Sequence, residues 1–148
     1  MKGKSFVAAL FCAGLVGLAG CRTAPIYNAT DVAIATPLGR QALTLDQVGA
    51  VIVSAGSSLG WAVQIVKPGD AMATLHLRGH TAVVEIPYST TTFSIIYKSS
   101  DNLNYDASRN YIHSNYNGWV TNLRSAIQRI AANAPTAVST ATGPSQPQ

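Results

Sequence analysis

The sequence predicts an α+β domain in which a four-stranded, mainly antiparallel sheet carries two helices on one face, in the order αββββα. Three observations lead there: an apolar stripe at steps of three and four over residues 45–59, four stretches of apolar alternation between residues 61 and 97, and a longer helical stripe over residues 112–130. Burying both stripes together with the apolar strand positions puts both helices on the same side of the sheet.

Thr44-Leu45-Asp46-Gln47 has the form of a capping box, and Leu45, Val48, Ile52, Ala55 and Leu59 continue at helical spacing. Val48, Val51, Ile52 and Val53, with two glycines beside them, would also suit a buried strand. Trp61, Val63 and Ile65 share one face of a first strand, and Lys67-Pro68-Gly69-Asp70 places Pro and Gly at the central positions of a type II turn. Ala71, Ala73, Leu75 and Leu77 line a second strand, Gly79-His80 suits a two-residue hairpin loop with glycine first, and Ala82, Val84, Ile86 and Tyr88 line a third. Phe93, Ile95 and Tyr97 line a fourth. The closing helix carries Ile112, Tyr116, Trp119, Val120, Leu123, Ile127 and Ile130 over some five turns. Asp106 or Ser108 would cap it, and Arg124 and Arg129 lie toward its carboxyl end, where the helix dipole favours cations.

Before this domain, Met1 to Ser5 is a short cationic segment and Phe6 to Ala19 an apolar run, the arrangement of a signal peptide. The run is shorter than the roughly 20 residues that cross a bilayer as a helix. Leu18-Ala19-Gly20-Cys21 at its end resembles the lipobox of bacterial lipoproteins. The resemblance implies cleavage after Gly20, a diacylglyceryl thioether on Cys21 and acylation of the freed amine; several acyl chains give stable membrane anchoring. Arg22 rather than Asp after the cysteine implies, by the sorting rule of enteric bacteria, the outer membrane with the domain facing the periplasm. Residues 21–40 mix Pro25, Pro37 and Gly39 with small polar residues and read as a flexible tether. About 20 extended residues reach some 65–70 Å, enough for a domain over residues 41–134 to stand clear of the membrane. Residues 135–148, rich in Pro, Ser and Thr, read as a disordered tail.

The 148 residues, 47% hydrophobic and 11% charged, suffice for one core. The formal charge of +4 includes Lys2 and Lys4 of the leader, and the rest of the chain has no Lys/Arg run, which argues against nucleic acid as a partner. Cys12 and Cys21 both fall in or at the end of the leader, so the mature domain has no internal disulfide.

Two groups of side chains are candidates for function. Gln64, His76, Arg78, Glu85 and Lys98 alternate with the core positions and so share the face of the sheet away from the helices. A loop at Gly79-His80 would pair residue 76 with Val83 and set Glu85 diagonally across from His76. This face would meet an envelope protein. The second group is the polar loop Asp101, Asn102, Asn104 and Tyr105, next to His113 and Asn117 on the helix, which would suit a small polar ligand such as a sugar or a peptidoglycan fragment. A calcium loop is excluded because the series Asn102, Asn104, Asp106 lacks the following glycine and the distal Glu. No metal is expected, since His76 and His80 sit on a strand and its turn with His113 remote. No cofactor is expected either, because phosphate loops are missing. Nucleophile motifs are missing too, which leaves a hydrolase as the least supported reading. The stretch Asp101-Asn102-Leu103-Asn104-Tyr105, then Ile112-His113, Tyr116-Asn117, Trp119 and Leu123, resembles a group of small uncharacterised proteobacterial lipoproteins whose pattern begins near Trp61 and includes Arg78. That resemblance implies a lipoprotein domain and carries no activity or ligand. The expected function is therefore a membrane-tethered, non-catalytic interaction module.

Overall fold

A computed structural model of the chain describes residues 22–36 and 40–135. The expected leader, the lipid attachment at Cys21 and the tail beyond Pro135 lie outside the described residues. The elements are β1 (Thr23–Pro25), β2 (Ala29–Ala33), α1 (Leu45–Ser58), β3 (Trp61–Lys67), β4 (Asp70–Leu77), β5 (His80–Pro87), β6 (Thr92–Asp101), β7 (Tyr111–His113) and α2 (Ser114–Asn133). The fold is α+β with antiparallel pairing throughout. Strands β3 to β6 are the four-stranded meander expected from alternation, and β2 joins them at the β6 edge to make a sheet ordered β2-β6-β5-β4-β3. A second, two-stranded sheet pairs β1 with β7.

Helix α1 begins where the capping box places it: the Thr44 hydroxyl accepts from Gln47 N–H and the Gln47 side chain accepts from Thr44 N–H at 2.8 Å. Its buried residues, Val48, Val51, Ile52 and Ala55, join Tyr116, Val120, Leu123 and Ile127 of α2 and the inward residues of the sheet in one core. The small side chains Ala71, Ala73 and Ala82 are fully covered, which lets the helices approach the sheet closely. Gly56 marks the tightest contact, because a Cβ there would collide with Cγ2 of Val63 and lie 3.4 Å from Cβ of Trp61. Gly56→Ala is expected to destabilise by about 1–3 kcal/mol through overpacking, more than the roughly 1 kcal/mol that alanine gains in a helix. Chemical denaturation of G56A and of G56A/V63A checks this, with the double variant recovering most of the loss.

Three sequence expectations are corrected. Residues 22–34, read as part of a flexible tether, form a strap that is hydrogen-bonded along its whole length. Arg22 C=O accepts from Ser114 N–H at 2.7 Å, Ile26 N–H donates to Asn110 C=O at 2.9 Å and Ile34 N–H donates to Thr91 C=O at 2.8 Å. The Asn117 amide accepts from Tyr27 N–H and donates to Pro25 C=O, both at 2.9 Å. Asn28 completes the set: β6 has a register break opposite Val83 and Val84, and Asn28 Oδ1 accepts the Tyr97 N–H there at 2.9 Å. The strap was hard to read because its strands are three and five residues long and rely on side-chain partners rather than alternation.

The second correction concerns α2, which starts at Ser114 with His113 as N-cap; Ile112 is fully buried but belongs to β7. Asp106 and Ser108 therefore cap no helix. Arg124 is turned toward the strap, donating to the Tyr27 hydroxyl at 3.0 Å. The third is the β4–β5 hairpin. Its loop is Arg78-Gly79, both at positive φ (51° and 77°), as a type I′ turn requires.

Candidate functional site

The hairpin fixes the outer face of the sheet. With Arg78-Gly79 as the loop, His76 pairs with Thr81 and Met72 with Glu85, so Glu85 lies four residues beyond the partner of His76, about 13 Å along the strand. Arg78 is in the turn and not on the face. The expected His76, Arg78 and Glu85 cluster is thus dispersed. Glu85 instead forms an ion pair with Lys98 at 3.4 Å, and His76 Nδ1 bonds the Thr81 hydroxyl at 3.0 Å. The pair is exposed and worth well under about 1 kcal/mol.

Register places Gln64, Met72, Glu85 and Ile96 side by side in one row across β3 to β6, and Ala62, Thr74, Val83 and Ser99 in the next. Both helices pack on the other side. This face therefore has no second layer among the described residues, and it carries the half-buried apolar side chains Met72, Val83 and Ile96, with Glu85 standing between Met72 and Ile96 in their row. The expectation based on charged and polar residues overlooked these three, whose sequence signal was present as the alternate positions of β4, β5 and β6.

In the loop after β6, the expected ligand-binding side chains bond mainly to the chain itself. Asn102, at φ 55°, donates from Nδ2 to Gly79 C=O at 3.0 Å and accepts His80 Nδ1 at its own carbonyl. Asn104 also adopts a positive φ, 49°, and Asp101 ends β6 opposite Thr81. Tyr105 packs on Tyr97 with ring centroids 4.5 Å apart and the ring planes tilted by 37°. Asp106 accepts from Ser108 N–H and Oγ–H and from Arg109 N–H and Nε–H. The Ser108 hydroxyl first, and then the Arg109 guanidinium, hold its carboxyl far below the usual carboxylate range. His113 Nδ1 accepts from Asn115 N–H at 3.2 Å, and Asn117 clamps the strap.

His113 is not remote from the β4–β5 hairpin: its ring centroid is 5.9 Å from that of His80, which is 6.3 Å from Trp119. His80 Nδ1 facing a carbonyl carries a proton, whereas His113 Nδ1 accepting an amide does not. Among the described residues no group of three or more His, Cys, Asp or Glu is placed to hold a metal ion, and no helix is long and apolar enough to cross a membrane.

Concavity lies elsewhere. A groove of about 430 Å³ runs between α1 and the end of α2 beside Leu43, Val51 and Ile130, and one of about 410 Å³ flanks the opposite side of α1 near Val53, Ile65 and Tyr88. Neither holds any of the expected site residues. Beneath the aromatic cluster, Tyr116 is fully buried and its hydroxyl has no hydrogen-bond partner among the described residues, while Tyr97 packs edge-on at 5.6 Å. Burial, and secondarily the charge of Tyr97, push the Tyr116 phenol above its ordinary range. Tyr116→Phe is expected to stabilise the protein by about 1 kcal/mol, since an unpartnered buried hydroxyl is removed. Unfolded tyrosine ionises above about pH 10 while the folded phenol keeps its proton, so wild-type stability falls as pH rises above 10, and this component is missing in the variant. Urea melts at pH 7 and pH 11 check both signs, the advantage of Y116F growing at the higher pH.

Comparison with family models, with curated proteins and with solved structures gives no match for this chain.

Proposed function

We propose that the chain is a bacterial envelope lipoprotein, anchored through acylated Cys21 and facing the periplasm from the outer membrane, whose domain acts by binding a protein partner through the uncovered face of the large sheet. The observation that supports this reading is the face itself. Met72, Val83 and Ile96 are half-buried apolar side chains on a face that neither helix covers, interspersed with Gln64, Thr74 and Glu85, and a mixed apolar and polar surface of this kind suits a protein contact. Catalysis there has less support, because His76 and Glu85 lie four residues out of register on a solvent-facing sheet and line neither of the grooves beside α1. A polar ligand at the loop over 101–106 has less support, since Asn102, Asp106, His113 and Asn117 are each bonded within the chain.

Photo-crosslinking in intact cells tests the reading. With the reactive residue at Thr74 or Glu85, a discrete protein adduct is expected. An adduct from Asn102 with none from the sheet positions would replace this reading by one centred on the loop. A charge exchange, Glu85→Lys with Lys98→Glu, keeps the ion pair and should leave the melting temperature unchanged while weakening the sheet adduct.

A further inference from the structure

The membrane orientation of the domain follows from where the strap begins. Cys21 is joined to Arg22 by one peptide bond, a Cα step of about 3.8 Å, and Arg22 is already held: its carbonyl accepts from Ser114 N–H at 2.7 Å and the next residue, Thr23, pairs with His113. Acyl chains on Cys21 enter the bilayer at that point. No slack chain therefore separates the lipid from the folded surface around β1 and β7.

That surface has the chemistry of a bilayer interface. Thr23, Pro25, Tyr111 and His113 lie on the face of the β1–β7 ribbon opposite the buried Ile112, with Pro25 and Tyr111 exposed. Arg109 lies over the Tyr111 ring at 5.9 Å, ion-paired to Asp106 yet with 72% of its side chain accessible. Arg22, also exposed, stands at the start of the ribbon. Tyrosine is enriched at headgroup depth, and guanidinium groups bond phosphate oxygens.

Resting on the reading of Cys21 as the lipid site, we propose that the outer face of the β1–β7 ribbon, with Arg22, Pro25, Arg109 and Tyr111, lies against the phospholipid headgroups, held there by the short connection to the acylated cysteine. The domain is thus fixed on the membrane in one orientation instead of ranging tens of ångströms from it, and β3, at the sheet edge away from the strap, is presented to the periplasm.

The test uses the full chain, extracted from membranes in its lipidated form and reconstituted into phospholipid vesicles carrying a nitroxide-labelled lipid. A single cysteine bearing a fluorophore replaces Tyr111, or Asn110 beside it, or Val66 on β3, which is 57% exposed. Mass spectrometry of the amino-terminal peptide is read on the same samples. With acyl mass on Cys21, quenching several-fold stronger at 111 and 110 than at 66 is expected, and a flexible Gly/Ser insertion of about 20 residues between Cys21 and Arg22 should abolish most of that difference by giving the domain a reach of about 25 Å. Equal quenching at the three sites of an acylated protein, or a difference that survives the insertion, would overturn the orientation while leaving the anchor intact. Absence of acyl mass would overturn the anchor, and the orientation with it.

Discussion

Replacing Phe93 by alanine is expected to destabilise the folded protein by about 3–5 kcal/mol, the range for deleting a fully buried aromatic side chain. Phe93 is 1% exposed and sits where three parts of the fold meet. It pairs with Val32 of the strap, bridges to Tyr88 at the end of β5, and faces the common core of sheet and helices. The deletion combines lost transfer free energy with a cavity that neighbouring backbone cannot collapse into, because the β2, β6 and β5 ladders fix it on both sides. A loss of this size is a large share of the 5–15 kcal/mol typical of a whole domain. Val66→Ala, at an exposed site on β3, should stay within about 0.5 kcal/mol of wild type. Paired urea titrations measure the contrast; an F93A midpoint indistinguishable from V66A would show that the site repacks.

The parts of the fold legible in the sequence were those with a sustained period. The capping box at Thr44 and the inward series Ala71, Ala73, Leu75 and Ala82, Val84, Ile86 are as expected. The β4–β5 loop shows why faces survive an error in register. Reading Gly79-His80 as the loop, where the turn uses Arg78-Gly79, slips the pairing by two residues, and a slip of two leaves every side chain on its own face. What it moves is the identity of neighbours, and so the candidate site suffered where the core did not. Nothing in the local sequence favours Arg78 at positive φ, a conformation that costs roughly 1 kcal/mol for a residue with a Cβ. The turn adopts it because the primed geometry matches the strand twist.

The strap was illegible for a different reason. Its strands are short, β2 is interrupted by a register shift at which Asp31 takes a positive φ, and its hydrogen-bond partners lie at long sequence distances. Asn28 mends a ladder 69 residues away, and Asn117 holds backbone 90 residues away. Composition marked these asparagines as ligand-binding candidates or linker; tertiary pairing makes Asn28 and Asn117 the groups that satisfy backbone. The uncovered sheet face lies between these cases: its period is visible in the sequence, and the apolar Met72, Val83 and Ile96 occupy the same alternate positions as its charged residues.

Asn117→Leu is the substitution that separates the strap from the rest of the fold. The amide supplies both an acceptor for Tyr27 N–H, which is partly buried, and a donor to Pro25 C=O, which is exposed, and an isosteric apolar side chain removes both bonds. The Tyr27 N–H carries most of the cost, and a loss of about 1–3 kcal/mol is expected. Asn117→Asp keeps the acceptor for Tyr27 N–H and removes only the donor to the exposed Pro25 C=O, and should lose less. The loss is expected to be local as well as global, because the β1–β7 ribbon is only three residues long and depends on the clamp. Hydrogen exchange at Ala24, Ile26 and Tyr27 should therefore accelerate far more than at Val84 or Ile86 in the central strand. Equal acceleration at both places would mean that the strap opens only with the whole domain. Preferential acceleration at the strap would identify Asn117 as the residue that fixes the strap to the domain, so that the same variant, on vesicles, should lose the proposed orientation.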